Sequence, residues 1–529
     1  MLVSTFFVVF LSIAEIAVYR EVHVKIYYNL LLHLKHVDEL FHSVSITLLV
    51  AIFSIVTLFL LASYHLINRL FPNYSAHLPN KKRILLLTLS FVATCSFTVI
   101  GCRGGLQPIP INEGEVYFTN NQCTNDATVN PLWNIIHSYI ETIKVLEGNT
   151  YNTMPDEEAE KIVRQLFHFE KDTTVSLFKI NRPNICFIIL ESWSADVSEA
   201  LGGYKGLTPN FDNLAKEGYL FADVKPTGHL SDQGIPGILS GYPALPIGSA
   251  INQPGKYPKL PCINNELQKA GYKSSFFFGG QLIYGNIKSY IYYNKFDKVM
   301  EQADFPASIP AGRLGIHDSI MLSIWKDSLA HMQTPFFSCL FTLSSHSPFD
   351  APGKPVINWG TMEDPYLNSI VYSDRQLGNF FQVAKQESWY NNTIFVLVAD
   401  HSHNVPKNYP ISSAEYYHIP LLICGGALKD EFRGIRDEQK ASQLDIAATL
   451  LKQLNISASR YRWSKNLMNP YCKRFAFYTF NEGFGYCTHD GSIVWDKKKS
   501  APLNTDKTDS LTLQGAAMLQ TLMNDFLSK

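Results

Sequence analysis

Two kinds of apolar pattern divide this chain. Near the N-terminus the runs are long and unbroken: residues 44–66 (VSITLLVAIFSIVTLFLLASYHL) carry only His65 near their end, and residues 84–101 (ILLLTLSFVATCSFTVIG) carry no charge. Each matches the roughly 20 apolar residues that cover about 30 Å of hydrocarbon as a helix. Residues 2–19 form a weaker segment, interrupted by Glu15. It lacks the charged start and small-residue cleavage site of a secretory signal, so it reads as a membrane helix. Buried core helices are the competing reading, but uncharged runs this long are rare in soluble domains. The pattern predicts a helical membrane anchor over residues 1–101.

Beyond Asn184 short apolar runs alternate with helical patterns. The runs are 184–190 (NICFIIL), 273–278 (KSSFFF), 335–343 (PFFSCLFTL), 393–399 (TIFVLVA) and 419–424 (IPLLIC). Runs apolar on both faces and separated by helices predict an α/β fold with a mostly parallel central sheet flanked by helices. Residues 475–496 alternate around Gly and Asp-Gly turns and predict a small antiparallel sheet, and 509–527 a closing helix. Between anchor and sheet, 102–180 reads as a helical connector. Gly104, Gly105, Pro108 and Pro110 break structure at its start, and helices are expected around 131–147 and 155–169, the second opening on Pro155, Asp156 and Glu157. The expected division is therefore 1–101, 102–180 and 181–529.

Charge sets the orientation. Arg69, Lys81, Lys82 and Arg83 lie between the two clear spans, whereas Arg103 alone precedes Lys144 on the far side. The basic loop stays cytoplasmic, placing everything after Gly101 outside. The expected location is the cytoplasmic (inner) membrane, multi-pass, with the large domain extracytoplasmic. A net charge of -1 and no charged tail give no reason to expect a nucleic-acid partner. At 529 residues at least two structural units are expected. The nine cysteines form no C-x-x-C pair. Cys186, Cys339 and Cys424 fall inside strand-like runs as buried thiols. Cys472 and Cys487 flank a hairpin, where a disulfide and two free thiols are equally compatible.

The polar residues that follow the apolar runs carry the chemistry. Glu191 ends the first run, His346 follows the third, and Asp400 and His401 end the fourth. Open α/β sheets bind ligands beyond the carboxyl ends of their strands, so these positions converge on one edge. Two carboxylates and an imidazole suit Zn²⁺ or Mn²⁺ and, less well, Mg²⁺. The competing reading makes Glu191 a helix start and Asp400 a turn cap. In 226–243 (PTGHLSDQGIPGILSGYP), Ser231 precedes a short helix whose N–H groups would hold a phosphoryl oxygen. A metal-bound serine hydroxyl is a competent nucleophile. Local sequence alone favours a plain N-cap for this serine.

The motifs FIILESW, the Ser-Asp turn before a helix, TLSSHSPF and VADHSH stand here in a specific order and spacing. In these the chain resembles the sulfatase-like branch of the alkaline phosphatase superfamily, particularly lipoteichoic acid synthases and the phosphoglycerol transferases that modify membrane-derived oligosaccharides. The similarity covers about residues 180–470. It implies that Glu191, Ser231, Asp400 and His401 bind one catalytic divalent metal, that Ser231 is the nucleophile, and that His346 contacts the phosphoryl or leaving group. Lys288, in FFFGGQLIYGNIKSY, falls near a position where lipoteichoic acid synthases have a phosphate-binding arginine. His403 and His418 complete the implied set, with direct and structural roles both open.

Three departures qualify what the resemblance implies. Serine stands where relatives usually have threonine. Relatives typically have five membrane spans, against two clear candidates and a weaker one here. The sequence after Ser231, Asp-Gln-Gly-Ile, lacks the Pro and Arg of the C/S-x-P-x-R pattern that true sulfatases need for formylglycine, which disfavours sulfate ester hydrolysis. The expected activity is transfer of a phosphoglycerol-type group from a membrane phospholipid to a glycan or other hydroxyl acceptor through a phosphoryl–serine intermediate. A phosphatase, phosphodiesterase or sulfatase-type ester hydrolase using the same site, and an inactive membrane-tethered binding module, are the alternatives.

Overall fold

The computed structural model describes residues 2–22, 25–26, 46–70, 81–103, 122–136, 139, 148–252, 254–282, 285, 287–498 and 509–529. The chain divides into two compact units, Met1–Lys35 with Val44–Lys144 and His36–Ser43 with Val145–Lys529. Each is taken by itself.

The first unit holds helices α1 (Leu2–Val22), α2 (Ile46–Leu70), α3 (Lys81–Arg103) and the short α4 (Gln122–Ala127). Glu15, which interrupts the apolar pattern of α1, is buried and pairs with Lys25 at 2.6 Å. Along α2 and α3 large apolar side chains face outward, among them Leu58 at 69% exposure and Phe97 at 75%. Helices thus occupy all three expected membrane segments. Among the described residues, however, no helix is long and apolar enough to cross a membrane. Several positions inside the apolar runs, including Ile52 and Leu86, have side chains outside the described set. The described helices by themselves therefore do not establish the expected multi-pass anchor. The Gly/Pro segment 104–110 and most of the expected helix 131–147 lie outside the described residues, while 131–136 are helical.

The second unit opens with α5 (Asp156–Phe167) and is built on an eight-stranded sheet. Its strands are β1 (Asn184–Leu190), β2 (Tyr219–Lys225), β3 (Lys273–Phe278), β4 (Lys298–Met300), β5 (Phe336–Phe341), β6 (Thr393–Ala399), β7 (Ile419–Cys424) and β8 (Ile435–Ser442). Their order is β4-β3-β5-β1-β6-β7-β2-β8, and every pairing is parallel except the two made by β7. Strands β1, β5, β6 and β7 are buried at every position, which explains their unbroken apolar runs. The edge strand β8 (IRDEQKAS) is mostly solvent-facing and lacks any such run.

Helices α6 (Pro209–Glu217), α7 (Ser231–Ser240), α8 (Ile263–Lys269), α9 (Ile287–Tyr293), α10 (Asp318–Ala330), α11 (Asp364–Ala384) and α12 (Asp445–Gln453) connect the strands. A three-stranded antiparallel sheet of β9 (Phe475–Phe480), β10 (Gly483–Thr488) and β11 (Ser492–Asp496) follows, closed by α13 (Ser510–Ser528). Helix α13 packs closely on β10: a Cβ at Gly515 would lie 2.3 Å from the Phe484 ring. Cys472 and Cys487 are both free thiols, so the disulfide left open by the sequence is absent.

One buried glutamine ties together the segments that carry the candidate site. The Gln443 amide donates to the carbonyls of Ala399 and Asp400, both at 2.7 Å, and its oxygen accepts from the Thr227 N–H at 3.3 Å. Gln443→Leu strands these buried groups, and we expect it to destabilise the unit by about 1–3 kcal/mol. Urea denaturation followed by tryptophan fluorescence measures the loss.

Candidate metal centre

Strands β1 and β6 pair in parallel with Leu190 opposite Ala399, so the residues that follow them, Glu191 and Asp400, emerge side by side. The exit from β5 holds Glu191 in place. Its N–H donates to the Thr342 hydroxyl at 2.9 Å, and the Ser345 hydroxyl donates to its carbonyl at 2.6 Å. Both belong to the TLSSHSPF motif. One oxygen of Asp400, Oδ1, accepts the N–H groups of Ser192 and His401, each at 2.9 Å. Its other oxygen, Oδ2, is buried and has no hydrogen-bond partner among the described residues. His401 lies 2.9 Å through Nδ1 from the Ser402 carbonyl, which can only accept, so Nδ1 carries the proton and Nε2 the lone pair. That Nε2 is 3.4 Å from Asp400 Oδ2 and 3.9 Å from Glu191 Oε1. Glu191, Asp400 and His401 each offer a ligand atom, all within 4.8 Å of one another.

Ser231 completes the group. It is the first residue of α7; the cap position belongs to Leu230, and no side chain caps the helix. The serine hydroxyl instead donates to Glu191 Oε2 at 3.4 Å and lies 3.4 Å from His401 Nε2. Helix α7 comes this close because Gly234 has no side chain: a Cβ there would stand 2.1 Å from the Asp400 carbonyl oxygen.

The electrostatics ask for a cation. Burial, and then the neighbouring Asp400 charge, push the Glu191 carboxyl up to about 8. Among the described residues no Lys or Arg pairs with either carboxylate, and the His401 nitrogen within 4 Å of both presents a lone pair. Two buried carboxylates, an imidazole lone pair and a partnerless carboxylate oxygen form a donor set that fits a divalent metal ion.

The remaining candidates fall in different places. His346 follows β5; its Nδ1–H donates to the Ser347 carbonyl at 2.6 Å, leaving Nε2 with the lone pair. Burial lowers its pKa and the Asp400 charge opposes that shift, so it stands within electrostatic reach of the trio. Lys288 is committed elsewhere, with its ammonium paired to the buried carboxylate of Glu301. No ion pair or hydrogen bond joins it to the trio among the described residues. His403 stacks on Tyr366 with ring centroids 4.0 Å apart, and its Nδ1 accepts from the Val405 N–H at 3.2 Å. His418 donates through Nε2 to the Ala222 carbonyl at 2.8 Å, linking β7 to β2, and burial chiefly pushes it down to about 4. The structure thus brings Glu191, Ser231, Asp400 and His401 together, and holds Lys288 and His418 in other contacts.

Sequence reasoning passed over His229, two residues before Ser231. Among the described residues its buried Nδ1 has no hydrogen-bond partner, and burial chiefly pushes it down to about 4. Its place in the segment that carries Ser231 was the available signal.

This edge-of-sheet centre defines a class, and the comparisons name it. The sulfatase family matches residues 183–456, just over half of the chain, and the protein belongs to that family. Its relatives include the lipoteichoic acid synthase of Staphylococcus aureus strain USA300, 25% identical over 345 residues that cover 60% of this chain and 53% of the relative. The synthase of strain bovine RF122 / ET3-1 is 24% identical over 344 residues, with the same coverage. The chain therefore spans about half the length of the curated relatives it matches. Among solved structures, a protein of the alkaline phosphatase superfamily from Vibrio parahaemolyticus is similar at a TM-score of 0.62 and 25% identity, covering 72% of this chain and 97% of its own. The lipoteichoic acid synthase LtaP from Listeria monocytogenes shares the fold at a TM-score of 0.56 and 16% identity, covering 71% and 99%.

Two outcomes follow from this geometry. Ordinarily Gly→Ala inside a helix stabilises by about 1 kcal/mol. Gly234→Ala should do the reverse, lowering the urea midpoint and weakening Mn²⁺ binding, because the new methyl drives α7 off Asp400. The second concerns pH. A carboxyl raised from 4.5 to about 8 adds stability below pH 4.5 that is lost as pH rises towards 8. In EDTA the melting temperature should fall across that window, and Glu191→Gln should flatten the fall.

Proposed function

We propose that this protein is a membrane-anchored, metal-dependent phosphotransferase that moves a phosphoglycerol-type head group from a membrane phospholipid to a glycan or other hydroxyl acceptor. One observation carries the reading: the hydroxyl of Ser231, the first residue of α7, reaches both Glu191 and His401 at 3.4 Å. Glu191, Asp400, His401 and Ser231 would hold one Mn²⁺ or Zn²⁺, with Mg²⁺ a third candidate. Such an ion lowers the pKa of the serine hydroxyl and offsets charge on the phosphoryl oxygens.

In the first step Ser231 Oγ attacks phosphorus and the bond to the lipid alcohol, such as diacylglycerol, breaks. The serine proton passes to the departing oxygen, with His346 Nε2 as the shuttle. In the second step an acceptor hydroxyl attacks phosphorus, the bond to Ser231 Oγ breaks, and the acceptor's proton passes through His346 back to that serine oxygen. The first N–H groups of α7 have no carbonyl partner within the helix and suit a phosphoryl oxygen. Lys288, held by Glu301, would meet a phosphate through its remaining N–H donors; His403 acts behind the site, against Tyr366.

The relatives named lipoteichoic acid synthases support transfer as the reaction class. Membership of the sulfatase family supports sulfate chemistry less, because Ser231 lacks the downstream Pro and Arg of a formylglycine site. The outward-facing apolar side chains of α2 and α3 support anchoring in the extracytoplasmic orientation set by the basic loop at 69–83. Hydrolysis, with water as acceptor, uses the same residues.

Labelled phosphatidylglycerol tests the proposal. Wild-type protein should form a labelled covalent species and release diacylglycerol, with label passing to an added glycan acceptor. Ser231→Ala should remain folded and form no labelled species. Turnover retained in that variant would remove Ser231 from the mechanism, and release to water alone would make the protein a hydrolase.

A further inference from the structure

Ser192, the residue after Glu191, takes a conformation that its side chain makes costly. Its φ is 56°, in the left-handed region where a non-glycine residue is held only when its surroundings over-determine it. Glycine would adopt this backbone freely. A serine here points to a use for the hydroxyl.

Every polar group of Ser192 is engaged with the centre or its support. The N–H donates to Asp400 Oδ1 at 2.9 Å, and the carbonyl accepts from the Tyr366 hydroxyl at 2.8 Å. The hydroxyl donates to Glu191 Oε1 at 2.6 Å and lies 3.4 Å from His401 Nε2. A hydroxyl has one proton to give, and here Glu191 Oε1 takes it. The other carboxylate oxygen, Oε2, is the one 3.4 Å from Ser231 Oγ. One oxygen of Glu191 is thereby occupied and the other turned towards the nucleophile.

Resting on the metal-site reading proposed above, we infer that Ser192 is a positioning residue whose hydroxyl fixes Glu191 as a one-oxygen ligand facing Ser231. The left-handed backbone brings hydroxyl and carboxylate of neighbouring residues onto one side of the chain. Asp400 and Tyr366 hold that backbone from either end. Ser192 is thus the joint through which the β1 terminus, the β6 terminus and the start of α11 set the shape of one ligand cluster.

Three variants of the full chain test this in calorimetric titrations with Mn²⁺ and with Zn²⁺, paired with melting curves in EDTA. Ser192→Gly keeps the backbone and removes the hydroxyl, and should melt within a few degrees of wild type. It should bind the ion about 10–100-fold more weakly, the usual cost of losing a partner that orients a ligand. Ser192→Ala should lose the same affinity and melt lower. Tyr366→Phe keeps the ring and removes the hydroxyl that bonds the Ser192 carbonyl, and should lose less affinity than either. Wild-type affinity in both Ser192 variants would overturn the inference while leaving the metal site intact. An equal loss in Tyr366→Phe and Ser192→Gly would also overturn it, by assigning the effect to the backbone. Wild-type protein that binds neither ion would overturn the metal reading and this inference with it.

Discussion

Two carboxylates, Glu191 and Asp400, are fixed side by side in the buried end of a sheet, and almost every feature of the centre answers that constraint. Parallel pairing of β1 with β6 leaves them no freedom to separate. Like charges in a poorly solvated place raise each other's proton affinity, and Glu191 responds in that direction. A proton on Glu191 relieves the repulsion until the pH approaches 8, and a bound cation would relieve it in the proton's place. The partnerless Asp400 Oδ2 and the lone pair of His401 Nε2 stand where such a cation would draw on both. Thr342, Ser345 and Gln443 hold the two strand ends against that repulsion, while Gly234 lets α7 bring a hydroxyl to the same spot.

The inner strands were legible because full burial on both faces requires unbroken apolar runs. The structure ends β1, β3, β6 and β7 where those runs end. Strands β2 and β8 were missed for the complementary reason. Asp223 and Lys225 interrupt the apolar pattern of β2 although the strand is almost wholly buried, and β8 lies at the sheet edge facing water and needed no such run. The reversal of β7 was also invisible, since a strand buried on both faces reads alike in either direction. That reversal brings His418 to the edge that carries the centre, but its ring serves the bond to Ala222.

Within the centre, legibility followed sequence distance. Glu191, Asp400 and His401 each end an apolar run, so a local signal marked them. Ser231 carried two local readings, and only the arrival of Glu191 and His401 from elsewhere distinguishes ligand from cap. The Lys288 expectation failed to anticipate Glu301, thirteen residues on, whose buried carboxylate takes the ammonium. Gly234, Gln443 and Ser192 act through contacts with residues far along the chain or through a backbone angle, and no spacing rule announces either.

Membership of the sulfatase family fixes the scaffold, and the chemistry depends on what the four converging residues hold. X-ray anomalous scattering from crystals grown with Mn²⁺, recorded on both sides of the manganese absorption edge, tests this most directly. The account predicts one peak about 2.0–2.4 Å from an oxygen of Glu191, Asp400 Oδ2, His401 Nε2 and Ser231 Oγ. A peak elsewhere, or none at this site with the ion in excess, would contradict it.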